Sequence, residues 1–292
     1  MRLMILGSGT PGLSATQYGS SYVASVGNEN FMFDCGPATT YKLLKMGMAP
    51  AEIGYLFFTH HHYDHSADYP GFLLSRWDTG YGNVANLQVY GPNDTAQFTA
   101  RLIDPDTGAF APDIKARMNH PVSVQGFQQR GGVLPRTPPQ VDVRNVGPGQ
   151  VCRSDEWEVV CAATKHVQPW LNSLAYRLNS NDGSIVFTGD AGPGRSLIEL
   201  AKDADTMVAM CHMARSQVRE EERDSNLGTI SAGRVAQEAR VNRLVLVHHT
   251  RAIGAETLGY PAPGQAERVI AEVASQFSGE IILGREFMHV QL

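Results

Sequence analysis

Seven short apolar, β-rich runs are spaced along the chain, and five of them stop at a residue suited to a metal site. The runs are "LMIL" (3–6), "NFMFDCG" (30–36), "YLFFTH" (55–60), "LQVYGP" (87–92), "WEVVCAATKH" (157–166), "SIVFTGD" (184–190) and "RLVLVHH" (243–249). Their length and composition predict strands. Between them, the segments 37–47, 93–103, 194–204, 229–240 and 264–277 carry apolar residues at three- and four-residue spacing, which predicts helices. Strands and helices mixed through the whole length predict an α/β layered architecture, read here as a single domain over 1–292. The stretch 104–150 departs from this pattern. It is rich in Gly, Pro, Gln and Arg and reads as a loop-rich insertion with short strands.

The residues at which the runs stop are Asp34, His60, His166, Asp190 and His248. A rigid sheet is the right holder for ligands of a shared site, because its loops leave access to them. The densest cluster is "THHHYDH" (59–65), where His60 and His62 lie two apart and Asp64 and His65 follow. Such a turn presents imidazole nitrogens and a carboxylate to one small volume. That donor mixture suits two borderline divalent cations, Zn²⁺ first, with Mn or Fe as alternatives. Asp190 is placed to bridge them.

"THHHYDH" resembles the T-H-x-H-x-D-H signature of the metallo-β-lactamase superfamily, and the other four motifs follow in the family's order. The resemblance runs from residue 1 to about residue 250. It implies an αββα sandwich, two mixed β-sheets face to face with helices outside, and a two-metal site at one edge. Carried over, His60, His62 and His166 hold the first metal, Asp64, His65 and His248 hold the second, and Asp190 bridges. Asp34 then orients the ligand loop. Strand alternation turns His248 and His249 to opposite faces, and the family pattern selects His248. His61 is expected to point away from the metals, and His120 and His289 to be structural. The stretches "ILGSGTPGLS" (5–14), "FDCGPAT" (33–39), "HSADYPGFLLSRW" (65–77) and "VYGPNDT" (89–95) resemble the ribonuclease Z and arylsulfatase-like branch. The glycine-rich "GSGTPG" reads as a tight turn beneath the site.

The resemblance implies a metal-dependent hydrolase in which a bridging hydroxide is the nucleophile. Asp64 would carry the proton to the leaving group, with His212 as a second acid. Members that process tRNA often carry a Gly/Pro-rich arm between the third and fourth motifs, a His-Glu pair after the fourth, and a further histidine just before Ser/Thr. This chain has only "VQPWLNSLAYRLNSNDGSIVFTG" in the first place, "MVAMCHMARS" in the second, and Leu227 near the third. These departures favour a small-molecule ester, whether carboxylic ester, lactone, sulfate or phosphodiester. Tyr69, Phe72, Trp77 and Trp170 are the candidate walls of its pocket. A ribonuclease Z-like nuclease acting on tRNA and a non-catalytic metal-binding protein are the alternatives.

Charge and composition bear on partners. A net charge of -5 gives no basic footprint and weighs against a nucleic-acid partner. Cys35, Cys152, Cys161 and Cys211 form no CxxC pair and read as small hydrophobic residues. The opening "MRLMILGSGTPG" reads as a first strand, no run approaches membrane length, and a cytoplasmic location is expected. Relatives in the family are often dimers, so a homodimer is the assembly expected by analogy.

Overall fold

The computed structural model describes residues 1–81, 84–212, 219–249 and 265–292. In chain order the strands of the first half are β1 (Arg2–Gly7), β2 (Ser21–Val26), β3 (Glu29–Phe33), β4 (Tyr55–Phe57), β5 (Leu87–Gly91), β6 (Val141–Asn145) and β7 (Gly149–Arg153). Those of the second half are β8 (Trp157–Thr164), β9 (Ser173–Ser180), β10 (Gly183–Phe187), β11 (Thr206–Met210), β12 (Arg243–Val247), β13 (Glu280–Leu283) and β14 (Met288–Gln291). They form two seven-stranded sheets, ordered β14-β1-β2-β3-β4-β5-β6 and β13-β12-β11-β10-β9-β8-β7. Both sheets are mixed. In the first, β14 through β3 pair antiparallel and β3 through β6 parallel. In the second, β7 through β10 pair antiparallel and β10 through β13 parallel.

All seven predicted runs form strands. They show no apolar–polar alternation because both faces of each sheet are covered. Successive residues therefore feed different cores. Leu3, Ile5, Phe31, Phe33 and Phe57 point between the sheets and meet Trp157, Tyr176, Phe187 and Val245. Met4, Leu6, Met32, Leu56 and Phe58 point outward. Onto that outer face pack α1 (Thr39–Lys45), α3 (Tyr69–Gly80), α4 (Thr95–Ile103) and α5 (Ala111–Asn119). The short α2 (Tyr63–Ser66) belongs to the ligand loop. The second sheet is covered by α7 (Arg195–Ala201), α8 (Thr229–Ala239) and α9 (Gln265–Ala274). The result is the predicted αββα order of layers.

The stretch 104–150 is more structured than expected. It contains α5, α6 (Pro121–Gln129), β6 and the start of β7. Proline stands in the first turn of both helices, where its missing N–H costs nothing, so the proline content marked helix starts as well as loops. Arg136 pins the segment. Its guanidinium is buried, bonds Asp78 at 2.7 Å and lies over the rings of Trp77 and Phe127. The indole N–H of Trp77 donates to the Thr137 carbonyl at 2.8 Å. Trp77 thus anchors this segment and does not wall a pocket beside the metal-ligand candidates. Cys35, Cys161 and Cys211 are buried and Cys152 half-buried, all unbridged. No described helix is long and apolar enough to cross a membrane.

At the centre of the sandwich, Phe33 of one sheet stacks on Phe187 of the other with ring centroids 3.8 Å apart. Both rings are sealed from solvent. Phe33→Ala should lower the unfolding free energy by about 3–5 kcal/mol. Urea denaturation followed by circular dichroism checks this, and a loss under about 1 kcal/mol would contradict a tightly packed interface here.

Candidate metal centre

The centre lies where strands of both sheets end. Asp34 follows β3 directly and takes a left-handed backbone (φ 59°) that turns its carboxylate toward the next loop. One oxygen accepts the Thr59 N–H at 2.7 Å. The other accepts the Thr59 hydroxyl at 2.8 Å and pairs with His65 Nδ1 at 2.7 Å. Held through Nδ1, the His65 ring presents Nε2 to the centre. A single helical turn, α2, sets Asp64 and His65 side by side. The loop sits on two glycines. A Cβ at Gly19 would lie 2.0 Å from the Asp64 carbonyl oxygen, and one at Gly36 would lie 2.3 Å from it. The second sheet delivers His166 just past β8, Asp190 just past β10 and His248 directly after β12. His248 also has a left-handed backbone, at φ 55°. Its ring thereby leaves the strand direction and faces the centre.

The donors form two groups. His60, His62, His166 and Asp190 make one, and Asp64, His65 and His248 the other, with ligand atoms within 4.8 Å of one another in each. In the first, His60 Nε2 and His166 Nε2 stand 2.8 and 3.4 Å from His62 Nδ1. In the second, His65 Nε2 and His248 Nε2 stand 3.6 and 3.3 Å from Asp64 Oδ2. Asp190 faces both groups. Its Oδ2 lies 3.6 Å from His166 and 3.9 Å from His60, and its Oδ1 lies 3.3 Å from His65 and 3.2 Å from His248. The edge of a tetrahedron with metal–nitrogen bonds of about 2.0–2.1 Å measures about 3.3 Å, a length these separations, from 2.8 to 3.9 Å, bracket. Asp64 Oδ1, Asp190 Oδ1 and His65 Nε2 are buried without a hydrogen-bond partner. Converging, desolvated nitrogen and oxygen donors left unpaired in this way fit two divalent cations.

The electrostatics agree. Burial, reinforced by His65, holds the His60 imidazole well below its ordinary pKa, and burial with His166 lowers that of His62. Neutral imidazoles are what a cation needs. Burial opposes a charged Asp190, but His248, His65 and His60 outweigh it and hold its carboxyl well below the usual range. Burial also opposes a charged His65, yet Asp190 and Asp34 raise it well above the usual imidazole. Two carboxylates thus favour positive charge at this point.

Other predicted residues fall as follows. His61 turns away from the cluster, with Nε2 2.9 Å from the Thr95 hydroxyl. His249 turns toward the Gly284 carbonyl at 3.3 Å, leaving His248 in the cluster. Its N–H donates to the Ser8 carbonyl at 3.0 Å, which ties the "GSGTPG" turn to this strand end. His212 lies outside both groups, its ring 6.0 Å from that of His248, and burial lowers its pKa. His120 and His289 lie exposed and away from the cluster. Tyr69 and Phe72 are fully buried in the core between α3 and the first sheet, so they line no pocket. Trp170, in contrast, is 85% exposed on the turn after His166. Leu227 is buried beneath α8 and gives no apolar wall to the site.

Two supports were not foreseen. Thr59 opens the THHHYDH motif, yet its two hydrogen bonds to Asp34 show only in three dimensions. The Ser225 carbonyl lies 3.2 Å from His166 Nδ1 and holds that ring from 59 positions away, with no signal in the sequence.

The model of the metallo-β-lactamase superfamily matches residues 16–163. A ribonuclease Z from Mycobacterium bovis is 27% identical over 300 residues, covering 100% of this chain and 98% of that protein. The metallo-β-lactamase fold protein YhfI from Bacillus subtilis superposes with a TM-score of 0.74 at 19% identity, covering 99% of this chain and 98% of its own. The short form of human tRNase Z superposes with a TM-score of 0.70 at 18% identity, covering 100% and 99%. Fold, donor set and relatives define a metal-dependent hydrolase. The chain belongs to the metallo-β-lactamase superfamily.

Asp34→Asn keeps the shape but removes the carboxylate that orients His65. Metal affinity should fall about 10–100-fold, measured by competition with a chromogenic chelator. Gly19→Ala should strip metal as well, by pushing the Asp64 loop aside, and it should lower the melting temperature of the metal-free protein. An unchanged metal content in either variant would show that the loop is held by other contacts.

Proposed function

We propose that this hydrolase cleaves phosphodiester bonds in a small, nucleotide-bearing substrate. The observation that carries the reading is Asp190, one oxygen facing each donor group, in a chain similar over its full length to proteins named ribonuclease Z. A phosphodiester suits a pair of cations, because attacking and leaving oxygens flank one phosphorus. His60, His62 and His166 would hold one divalent cation, Asp64, His65 and His248 the other, and Asp190 both, with zinc as the first candidate. Bound there, the cations supply Lewis acidity that ionises water at neutral pH and draws charge from the phosphoryl oxygen.

The side chains do the rest. Asp64 leaves Oδ1 buried and unpaired, in position to take a proton and return it to the leaving oxygen. His212, its ring 6.0 Å from that of His248 and its Nδ1 unpartnered, would be the second acid. Asp34 and Ser225 keep the His65 and His166 rings from rotating. Of the ligand candidates that a substrate could approach, His62 is only half-buried while the His166 ring is buried, so the substrate would enter over His62.

The broader small-ester reading leaned on an apolar pocket. Tyr69, Phe72 and Leu227 lie in the core, which removes most of that pocket. Precursor tRNA is disfavoured for a different reason. The stretch between His166 and Asp190 forms the β9–β10 hairpin, which leaves only the turn at 166–171 and no length for an arm.

The zinc- or manganese-loaded protein should hydrolyse bis-p-nitrophenyl phosphate. Activity should fall to background in Asp190→Ala and on chelation. An aryl carboxylic ester, a lactone and an aryl sulfate complete the panel. Turnover of any of these with none of the phosphodiester would overturn the proposal.

A further inference from the structure

A cleft of about 460 Å³ runs along the same edge of the sandwich as the metal centre. That volume is within the usual range for small organic ligands, about 300–1,000 Å³. One wall is formed by the loops after β5 and β6, the other by the ends of β8 and β9. None of its lining residues belongs to the two donor groups, yet it includes Lys165 and Gln168, which flank His166.

Its chemistry is selective. The lining has three carboxamides (Asn93, Gln168, Asn172), one ammonium (Lys165) and no carboxylate. Gln168 is committed to the backbone. Its Oε1 accepts the His166 N–H at 2.8 Å and its Nε2 donates to the Thr164 carbonyl at 2.7 Å. These two hydrogen bonds fix the turn that carries Trp170, whose N–H donates to the Val167 carbonyl at 3.1 Å. A tryptophan 85% exposed is therefore held on a braced turn beside a metal ligand. Thr164 and Ser173 face each other across the β8–β9 ladder at the foot of the cleft. Both are buried, and neither hydroxyl has a hydrogen-bond partner.

We infer that this cleft receives the nucleoside of the substrate while its phosphate lies at the metal centre, an assignment that rests on the phosphodiesterase reading above. A nucleobase has an edge of alternating donors and acceptors, which suits the Asn93 and Asn172 carboxamides and the two hydroxyls, and a flat face, for which the exposed Trp170 ring, outside the cleft lining on the turn that Gln168 braces, would be the platform. Lys165 lies between cleft and centre in sequence and can meet a phosphate oxygen. An apolar acyl or lactone ring would leave the Asn93 and Asn172 amides and the two buried hydroxyls unanswered, while the apolar remainder of the lining (Pro92, Val146, Pro148, Leu174) suits the body of a base or sugar.

Isothermal titration calorimetry of the zinc-loaded protein tests this, with adenosine 5′-monophosphate, uridine 5′-monophosphate and inorganic phosphate as titrants. At least one nucleotide should bind about tenfold or more tightly than phosphate, the effect of one stacked base. Trp170→Ala and the double variant Asn93→Ala/Asn172→Ala change exposed side chains, so folding is not at stake. Each should remove most of the nucleotide advantage and leave phosphate affinity as the baseline. Equal affinity for nucleotides and phosphate in the unaltered protein would overturn the assignment. So would variants that keep the advantage, or a Trp170→Ala variant that changes only the oligomeric state on a sizing column. The two readings separate cleanly: nucleotide preference without hydrolysis of bis-p-nitrophenyl phosphate sinks the phosphodiesterase, and hydrolysis without preference sinks the cleft.

Discussion

The metal edge depends on two sheets meeting face to face in one register. His60, His62, Asp64 and His65 come from the first sheet, and His166, Asp190 and His248 from the second. A slip of either sheet would separate donors that stand within 4.8 Å of one another. The aromatic stack of Phe33 on Phe187 fixes the interior. At the edge, two bonds finish the alignment: the Leu174 N–H donates to the Thr59 carbonyl at 2.9 Å, and the Tyr176 hydroxyl to the Phe58 carbonyl at 2.9 Å. Thr59 therefore links the two sheets at this edge, joined to Asp34 on its own sheet and to β9 on the other.

Left-handed backbone at Asp34 and His248 belongs to the same alignment. Non-glycine residues at such angles cost on the order of 1–3 kcal/mol each and persist only where surroundings hold them. Here each strand must stop and turn its last side chain sideways into the shared volume. A residue continuing in extended geometry would point into a core or away from the edge.

Much of this was legible in the residues. Strand ends at Asp34, His60, His166, Asp190 and His248 were visible because burial on both faces makes a strand an unbroken apolar run. Strands such as β2, "SYVASV", and the half-exposed β6 and β7 were not, since serines and charges interrupt them. The aromatic residues of α3 show a deeper limit. Spacing reveals that Tyr69 and Phe72 share a helix with Trp77. It does not say which side of the helix meets the sheet, and Tyr69 and Phe72 turned out to be the inward face. Leu227 misled for a related reason. Its position near an expected ligand was read from sequence order, while its side chain points beneath α8.

Because neither sheet alone owns a complete set of donors, the centre cannot exist before the two halves of the chain have docked. The complete two-cation site therefore exists only in the finished protein. Occupancy adds stability only after assembly, about 2.7 kcal/mol for one site at a free ion concentration a hundred times the dissociation constant. A ribosome-bound chain that has made only β1 through β6 carries His60, His62 and His65 but lacks the donors that follow β8, β10 and β12. The full donor set is thus assembled only once the chain has been made through β12.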